Sequence, residues 1–173
     1  MTITVGILTL NEARHIERAL RSVAPFADRC VVVDSGSTDD TEERARALGA
    51  QVLTHSFLNH AQQFNWALTQ LDPNTDWVLR IDADEFVTPE LAAEIRARLP
   101  GLGKGVDGVF VDRRMTFQGR MIRHGGLFPV RVLRLFRYGR GECENRWMDE
   151  HIKVTGKTVT FSGELIDDNL SSL

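Results

Sequence analysis

The chain has 173 residues, of which 42% are hydrophobic and 26% charged, values ordinary for a soluble globular protein with one full hydrophobic core. Its formal net charge of −3 and the absence of an RNA-binding signature weigh against a nucleic-acid partner. No apolar run approaches the length that spans a bilayer.

Residues 3–8 form a short apolar run rich in β-branched side chains and predict a buried strand. Asn11 is placed to cap a helix whose Ile16, Ala19, Leu20 and Val23 give one apolar face. Residues 30–33 predict a second buried strand running into the polar turn Asp34-Ser35-Gly36-Ser37-Thr38-Asp39-Asp40. A helix then extends to Leu48, with Gly49 as its stop. A short third strand is expected over residues 51–54, and a helix over 60–71 buries Phe64, Ala67, Leu68 and Leu71. Residues 77–81 predict the fourth strand. Thr88-Pro89-Glu90 supplies an N-cap, a proline in the first turn and an acid at the positive end of the dipole. That helix reaches about Leu99 and ends at Pro100-Gly101. Strands follow over residues 107–112 and 130–136, and a hairpin is expected in 154–161 around Thr155-Gly156-Lys157.

Strands alternating with helices imply an α/β fold with a mainly parallel central sheet and right-handed crossovers. The second half is more β-rich, mixed or antiparallel. No linker or repeat divides residues 1–173, which are taken as one domain. In such sheets ligands bind beyond the carboxyl ends of the strands. Three polar clusters fall on that edge: Asn11-Glu12, Asp34 and Asp82-Ala83-Asp84. On an extended backbone Asp82 and Asp84 would point the same way. Hard oxygen ligands without a nearby Cys or His favour Mg²⁺ or Mn²⁺ over zinc. The plainer reading of this tripeptide is a polar turn leading into the next helix.

Three segments together carry a family resemblance: Ile7-Leu8-Thr9-Leu10-Asn11-Glu12, then Val31-Val32-Val33-Asp34-Ser35-Gly36-Ser37-Thr38-Asp39-Asp40-Thr41, then Asp82-Ala83-Asp84-Glu85. In order and spacing they resemble the family 2 glycosyltransferases of GT-A fold. Trp147-Met148-Asp149-Glu150-His151 is similar to that family's acidic motif. The resemblance implies a Rossmann-like three-layer α/β/α sandwich, with residues 1–100 as the nucleotide-sugar-binding half and 101–173 as the acceptor-side half. It implies an inverting, metal-dependent transfer from a nucleotide-diphosphate sugar, with UDP favoured, to a hydroxyl of a glycan or glycolipid. Thr9, Asn11, Glu12 and Asp34 would line the nucleoside pocket. Asp84 with Asp82 would hold Mg²⁺ or Mn²⁺ against the diphosphate. Glu150 is the first choice as catalytic base and Asp149 the second. Within the family the chain looks most like bacterial lipopolysaccharide core transferases of the β-1,4-glucosyltransferase type.

Other residues have two readings each. Asn65 sits on a helix that faces either the donor or solvent. Arg80 touches phosphate or pairs with an acid. Trp147 and His151 are candidates for acceptor contacts. Residues 113–146 hold nine arginines against two acids, Glu142 and Glu144. Within this stretch Arg131 and Arg134 bind phosphates of the donor or an anionic acceptor, or belong to a solvated basic face. A nucleotidyltransferase would show a glycine-rich basic loop where Thr9-Leu10-Asn11-Glu12 stands. A non-catalytic nucleotide-sugar-binding domain is the other alternative. Cys30 and Cys143 suggest no disulfide framework, and the N-terminus shows no basic leader. A cytoplasmic protein is therefore expected, with peripheral contact at the inner face of the membrane open. The family's closing helices are not seen before Leu173, so the acceptor half is expected to be truncated and self-association is open.

Overall fold

A computed structural model describes residues 1–117, 120–121, 129–145 and 151–171. Its elements are β1 (Ile3–Thr9), α1 (Ile16–Val23), β2 (Arg29–Asp34), α2 (Thr41–Ala47), β3 (Gln51–Thr54), α3 (His60–Thr69), β4 (Trp77–Asp82), β5 (Glu85–Val87), α4 (Pro89–Arg98), β6 (Val106–Phe117), β7 (Arg120–Met121), β8 (Val130–Arg137), β9 (Gly141–Cys143), β10 (Ile152–Val154) and β11 (Lys157–Asp167). The main sheet runs β3-β2-β1-β4-β8-β6-β11-β5, with β7 paired to β6. Its first four strands are mutually parallel. From there β8 runs antiparallel to β4, β6 antiparallel to β8, β11 parallel to β6 and β5 antiparallel to β11. The α/β class and the mixed, β-rich second half are as the sequence implies.

Both faces of the sheet are covered, which is why its parallel strands read as unbroken apolar runs. The period of two still sorts their side chains. Trp77, Leu79 and Ile81 of β4 join Ile3, Val5 and Ile7 of β1 in a core completed by α1 and α4. Val78 faces the other way and packs with Phe64 and Ala67 of α3, Phe136 of β8 and Cys143 of β9. The ribbon β9–β10 thus completes the layer that α3 begins.

Several local expectations are corrected. Asn11 does not cap α1: that helix begins at Ile16 after His15, without a side-chain cap. Asn11 instead adopts a φ of 53°, a left-handed conformation that Asn tolerates better than most residues. Residues 154–161 form no hairpin: β10 pairs with β9 and β11 pairs with β6. Asp82 and Asp84 do not share an extended backbone. Asp82 ends β4, residues 83–84 turn, and the unforeseen strand β5 begins at Glu85. Thr88 does cap α4, its hydroxyl accepting from Leu91 N–H at 3.2 Å. Among the described residues no helix is long and apolar enough to cross a membrane.

Candidate active site

The pairing register brings the ends of the parallel strands level. Thr9 stands opposite Asp34, Asp34 opposite Thr54, and Leu8 opposite Asp82. A cleft of about 400 Å³ opens over this edge, walled by Thr9, Glu12, Ser35, His60, Asp82 and Asp84 among others. It lies where a sheet of this kind places ligands.

One wall is the pair of loops after β1 and β2. Asp34 has no exposed surface. Its Oδ1 accepts from Thr9 Oγ1 at 2.8 Å and Ser37 Oγ at 2.5 Å. Its Oδ2 accepts from the amides of Gly36 at 2.9 Å and Ser37 at 2.7 Å. Burial pushes the Asp34 pKa up, but these four donors outweigh it and hold the carboxyl below its ordinary range. A carboxylate has about four acceptor positions, and here each meets a donor, so Asp34 organises the loop. Asn11 ties the two loops together: its N–H donates to Ser37 Oγ at 2.8 Å and its Oδ1 accepts from Thr38 N–H at 2.9 Å.

Glu12 reaches the cleft wall with His15 behind it, Nδ1 to Oε2 at 2.6 Å. The opposite nitrogen, Nε2, accepts from Leu170 N–H at 2.9 Å. An accepting Nε2 leaves the ring proton on Nδ1, so His15 is a neutral donor to Glu12. Burial raises the Glu12 pKa; His15 draws it back, while Asp84 and Asp39 push it further up.

The opposite wall is the turn between β4 and β5. Asp82 is approached on Oδ1 by Arg80 and on Oδ2 by Arg134, each at 3.8 Å. Burial raises its pKa, but Arg134 and then Arg80 bring it below the ordinary value. Asp84 Oδ2 accepts from Asn169 Nδ2 at 3.2 Å, and Asp84 C=O accepts from Asp168 N–H at 3.1 Å. Beneath the turn lies Glu85, wholly buried. Arg134 forks onto both its oxygens at 3.0 Å, and Arg113 stands 3.5 Å from Oε1. Burial pushes Glu85 up to about 7 against the pull of Arg134. Burial likewise opposes the charge on Arg134, but Glu85 and Asp82 raise its pKa above the ordinary value, as a two-point ion pair requires.

The remaining candidates divide by position. Arg134 is buried and committed to Glu85, so it does not present itself to an acceptor. Arg80 is also buried, its NH1 donating to Cys143 Sγ at 3.3 Å. Asn65 commits its side chain to β9. Its side chain exchanges two hydrogen bonds with the backbone of Cys143, at 2.9 and 2.8 Å, and so anchors β9. Arg131 is exposed and pairs with Asp112 at 3.2 Å. His151 is exposed, its carbonyl accepting from Glu144 N–H. Trp147, Asp149 and Glu150 lie outside the described residues.

Glu85, His60 and Phe57 were missed by sequence reasoning. Phe57 packs edge to face on His60 at 5.1 Å, and both line the cleft. Only Glu85 carried a signal, as a third acid directly after the D-x-D pair.

Asp82 and Asp84 suit Mg²⁺ or Mn²⁺ by donor type. Among the described residues no three His, Cys, Asp or Glu side chains gather as a metal cage. A cation at this turn would also meet negative charge, since after burial Asp84 adds to the raised pKa of Glu12. Burial raises the pKa of nearby Asp167, and Asp84 adds to that rise.

The comparisons with known proteins agree with this geometry. The model described as "Glycosyl transferase family 2" matches residues 4–163. An uncharacterized glycosyltransferase of Rickettsia bellii is 46% identical over 93 residues, covering 54% of this chain and 31% of its own length. The succinoglycan biosynthesis protein ExoA of Rhizobium meliloti is 37% identical over 88 residues, 46% of this chain and 27% of that protein. The chain thus spans about a third of the curated relatives it matches. Among solved structures, glucosyl-3-phosphoglycerate synthase of Mycobacterium tuberculosis in complex with Mn²⁺, UDP and glucosyl-3-phosphoglycerate superposes with a TM-score of 0.51. It is 28% identical and covers 68% of this chain and 44% of that one. The α/β fold matches these GT-A neighbours, the family match runs through both walls of the cleft, and the chain belongs to glycosyl transferase family 2.

Proposed function

We propose that the chain transfers a sugar, with inversion, from a UDP-sugar to a hydroxyl of a glycan or glycolipid. The observation that carries this reading is the cleft at the carboxyl edge of β1, β2 and β4, where Thr9 and Glu12 face Asp82 and Asp84. The nucleoside would lie against the loop that Asp34 organises, near Thr9 and Glu12. The diphosphate would lie against the D-x-D turn. A divalent cation held by Asp84 with Asp82 would neutralise charge developing on the leaving diphosphate. Glu150, with Asp149 as second choice, would take the proton of the acceptor hydroxyl; this role comes from the family's acidic motif. Inversion follows from a single displacement and is inherited from the same resemblance.

The choice of UDP draws support from the mycobacterial synthase, crystallised with Mn²⁺, UDP-glucose and phosphoglyceric acid. Similarity to a succinoglycan biosynthesis protein supports a polysaccharide product. Core lipopolysaccharide glucosylation at the inner face of the cytoplasmic membrane is the finer form of this proposal, with Arg131 and His151 on the acceptor side. In this reading residues 1–100 form the donor half and residues 101–173 a part of the acceptor half.

The test is calorimetric binding of UDP, GDP and dTDP, with Mn²⁺ and after chelation, to wild type and Asp84→Ala. Mn²⁺-dependent binding of UDP alone is expected, weakened at least about tenfold in the variant. Folded protein that binds no nucleotide would refute the donor site. Tight UDP binding without turnover of any UDP-sugar would favour a non-catalytic binding domain instead.

A further inference from the structure

The turn that presents Asp82 and Asp84 is short and projects from the sheet edge, yet its backbone amide at Asp82 is not left to water. It donates to Glu85 Oε2 at 2.8 Å, so the carboxylate three residues on folds back and closes the turn. The same oxygen accepts from Arg134 NH1 at 3.0 Å, while Oε1 accepts from Arg134 NH2 at 3.0 Å. Glu85 is 0% exposed and Arg134 8%. Arg134 belongs to β8, the strand beside β4, and its NH2 also lies 3.8 Å from Asp82 Oδ2. Its NH1 points toward the carbonyl of Arg80 on β4, at 3.5 Å. One planar guanidinium therefore addresses the strand entering the turn, the acid that closes it and the first acid of the D-x-D pair. A lysine, with a single point charge, cannot occupy that fork.

We infer that Arg134 is a positioning residue: through Glu85 it locks the Asp82-Ala83-Asp84 turn in the shape that binds the divalent cation. The inference rests on the proposed role of Asp82 and Asp84 as that cation's ligands. Arg134 is buried, and its guanidinium is taken up by Glu85 and Asp82. It acts as outer-shell partners of metal ligands do, and loss of such partners costs about 10–100-fold in metal affinity.

A merely structural ion pair would give a different result, and the two are separable because a buried pair can be replaced by apolar side chains without loss of stability. Mn²⁺ binding is measured by electron paramagnetic resonance at saturating UDP, alongside the thermal midpoint, for wild type, Arg134→Lys, Arg134→Met and Glu85→Leu/Arg134→Met. Arg134→Met, which strands the Glu85 carboxylate, should both lower the midpoint and raise the Mn²⁺ Kd by about 10–100-fold. In the double variant the midpoint should recover while the Mn²⁺ Kd stays high. Arg134→Lys keeps the charge and should fold, with a Kd between wild type and Arg134→Met. Wild-type Mn²⁺ affinity in Arg134→Lys, or in a double variant of restored midpoint, would overturn the positioning role and leave the donor-site reading intact. A wild type that binds no Mn²⁺ with UDP would overturn both.

Discussion

Asp34 is a charged side chain with no exposed surface, stable because every acceptor position meets a donor. Asp34→Asn keeps the shape but turns one acceptor into a donor facing donors. It should cost about 1–3 kcal/mol at pH 7. The folded pKa is depressed below the ordinary 3.8, so this stabilisation is present above that pH and is lost as pH falls through the folded pKa. Urea midpoints of wild type and variant should therefore differ at neutral pH and converge in acid. A gap that is constant from pH 7 to pH 2.5 would show that the carboxylate's charge contributes nothing. The sequence placed Asp34 at this edge because a polar residue ending an apolar run has few other places to go. It could not show that Asp34 is saturated, since the saturating donors include Thr9, from a different strand. Arg134 was misjudged for a similar reason. Arg131 and Arg137, three residues to either side, made the stretch read as a basic face, whereas the place of Arg134 is decided by Glu85, 49 residues away.

At the scale of elements, local chemistry was legible and long-range chemistry was not. Thr88-Pro89-Glu90 announced the start of α4 because capping involves only three or four consecutive residues. Thr88→Ala should cost about 1 kcal/mol in equilibrium unfolding. The other side of α4 was invisible. The register of β11 against β6 slips between Thr160 and Glu164, and the freed amides of Ser162 and Gly163 donate to Glu94 of α4 at 3.1 and 2.9 Å. The helix comes so close that a Cβ on Gly163 would lie 2.7 Å from Leu91 N. That atom is backbone in a packed helix and cannot swing aside. Gly163→Ala should thus destabilise by about 1–3 kcal/mol through overpacking, where most Gly→Ala changes of compatible conformation would stabilise. An unchanged thermal midpoint would mean that α4 floats on the sheet. The misread hairpin at Thr155-Gly156-Lys157 has the same origin. Turn chemistry fixed a reversal there, but which strands accept the two arms depends on β6 and β9.

For the whole molecule, the order of strands in space separates the fold from its first hundred residues. The parallel strands β3, β2, β1 and β4 all lie within residues 1–100, yet β4 meets β8 along its other edge, Val78 opposite Phe136 and Leu79 opposite Leu135. Phe136 and Leu135 are wholly buried. A fragment of residues 1–100 would leave that central edge and its apolar face open. It should lack near-ultraviolet circular dichroism and associate, although it contains most of the residues proposed for the donor side; a monomeric fragment with dispersed amide resonances would contradict this. The pairing of β5 carries the same logic into time. Val87, Phe86 and Glu85 take Leu165, Ile166 and Asp167 as their partners, across the intervening residues 88–164. As translation proceeds from the N-terminus, the strand that flanks the D-x-D turn must wait until residues 165–167 have left the ribosome. The nascent chain gains its parallel scaffold before its acidic turn, so a translation product cut short before residue 165 would hold the loop that Asp34 organises but not the turn that faces it.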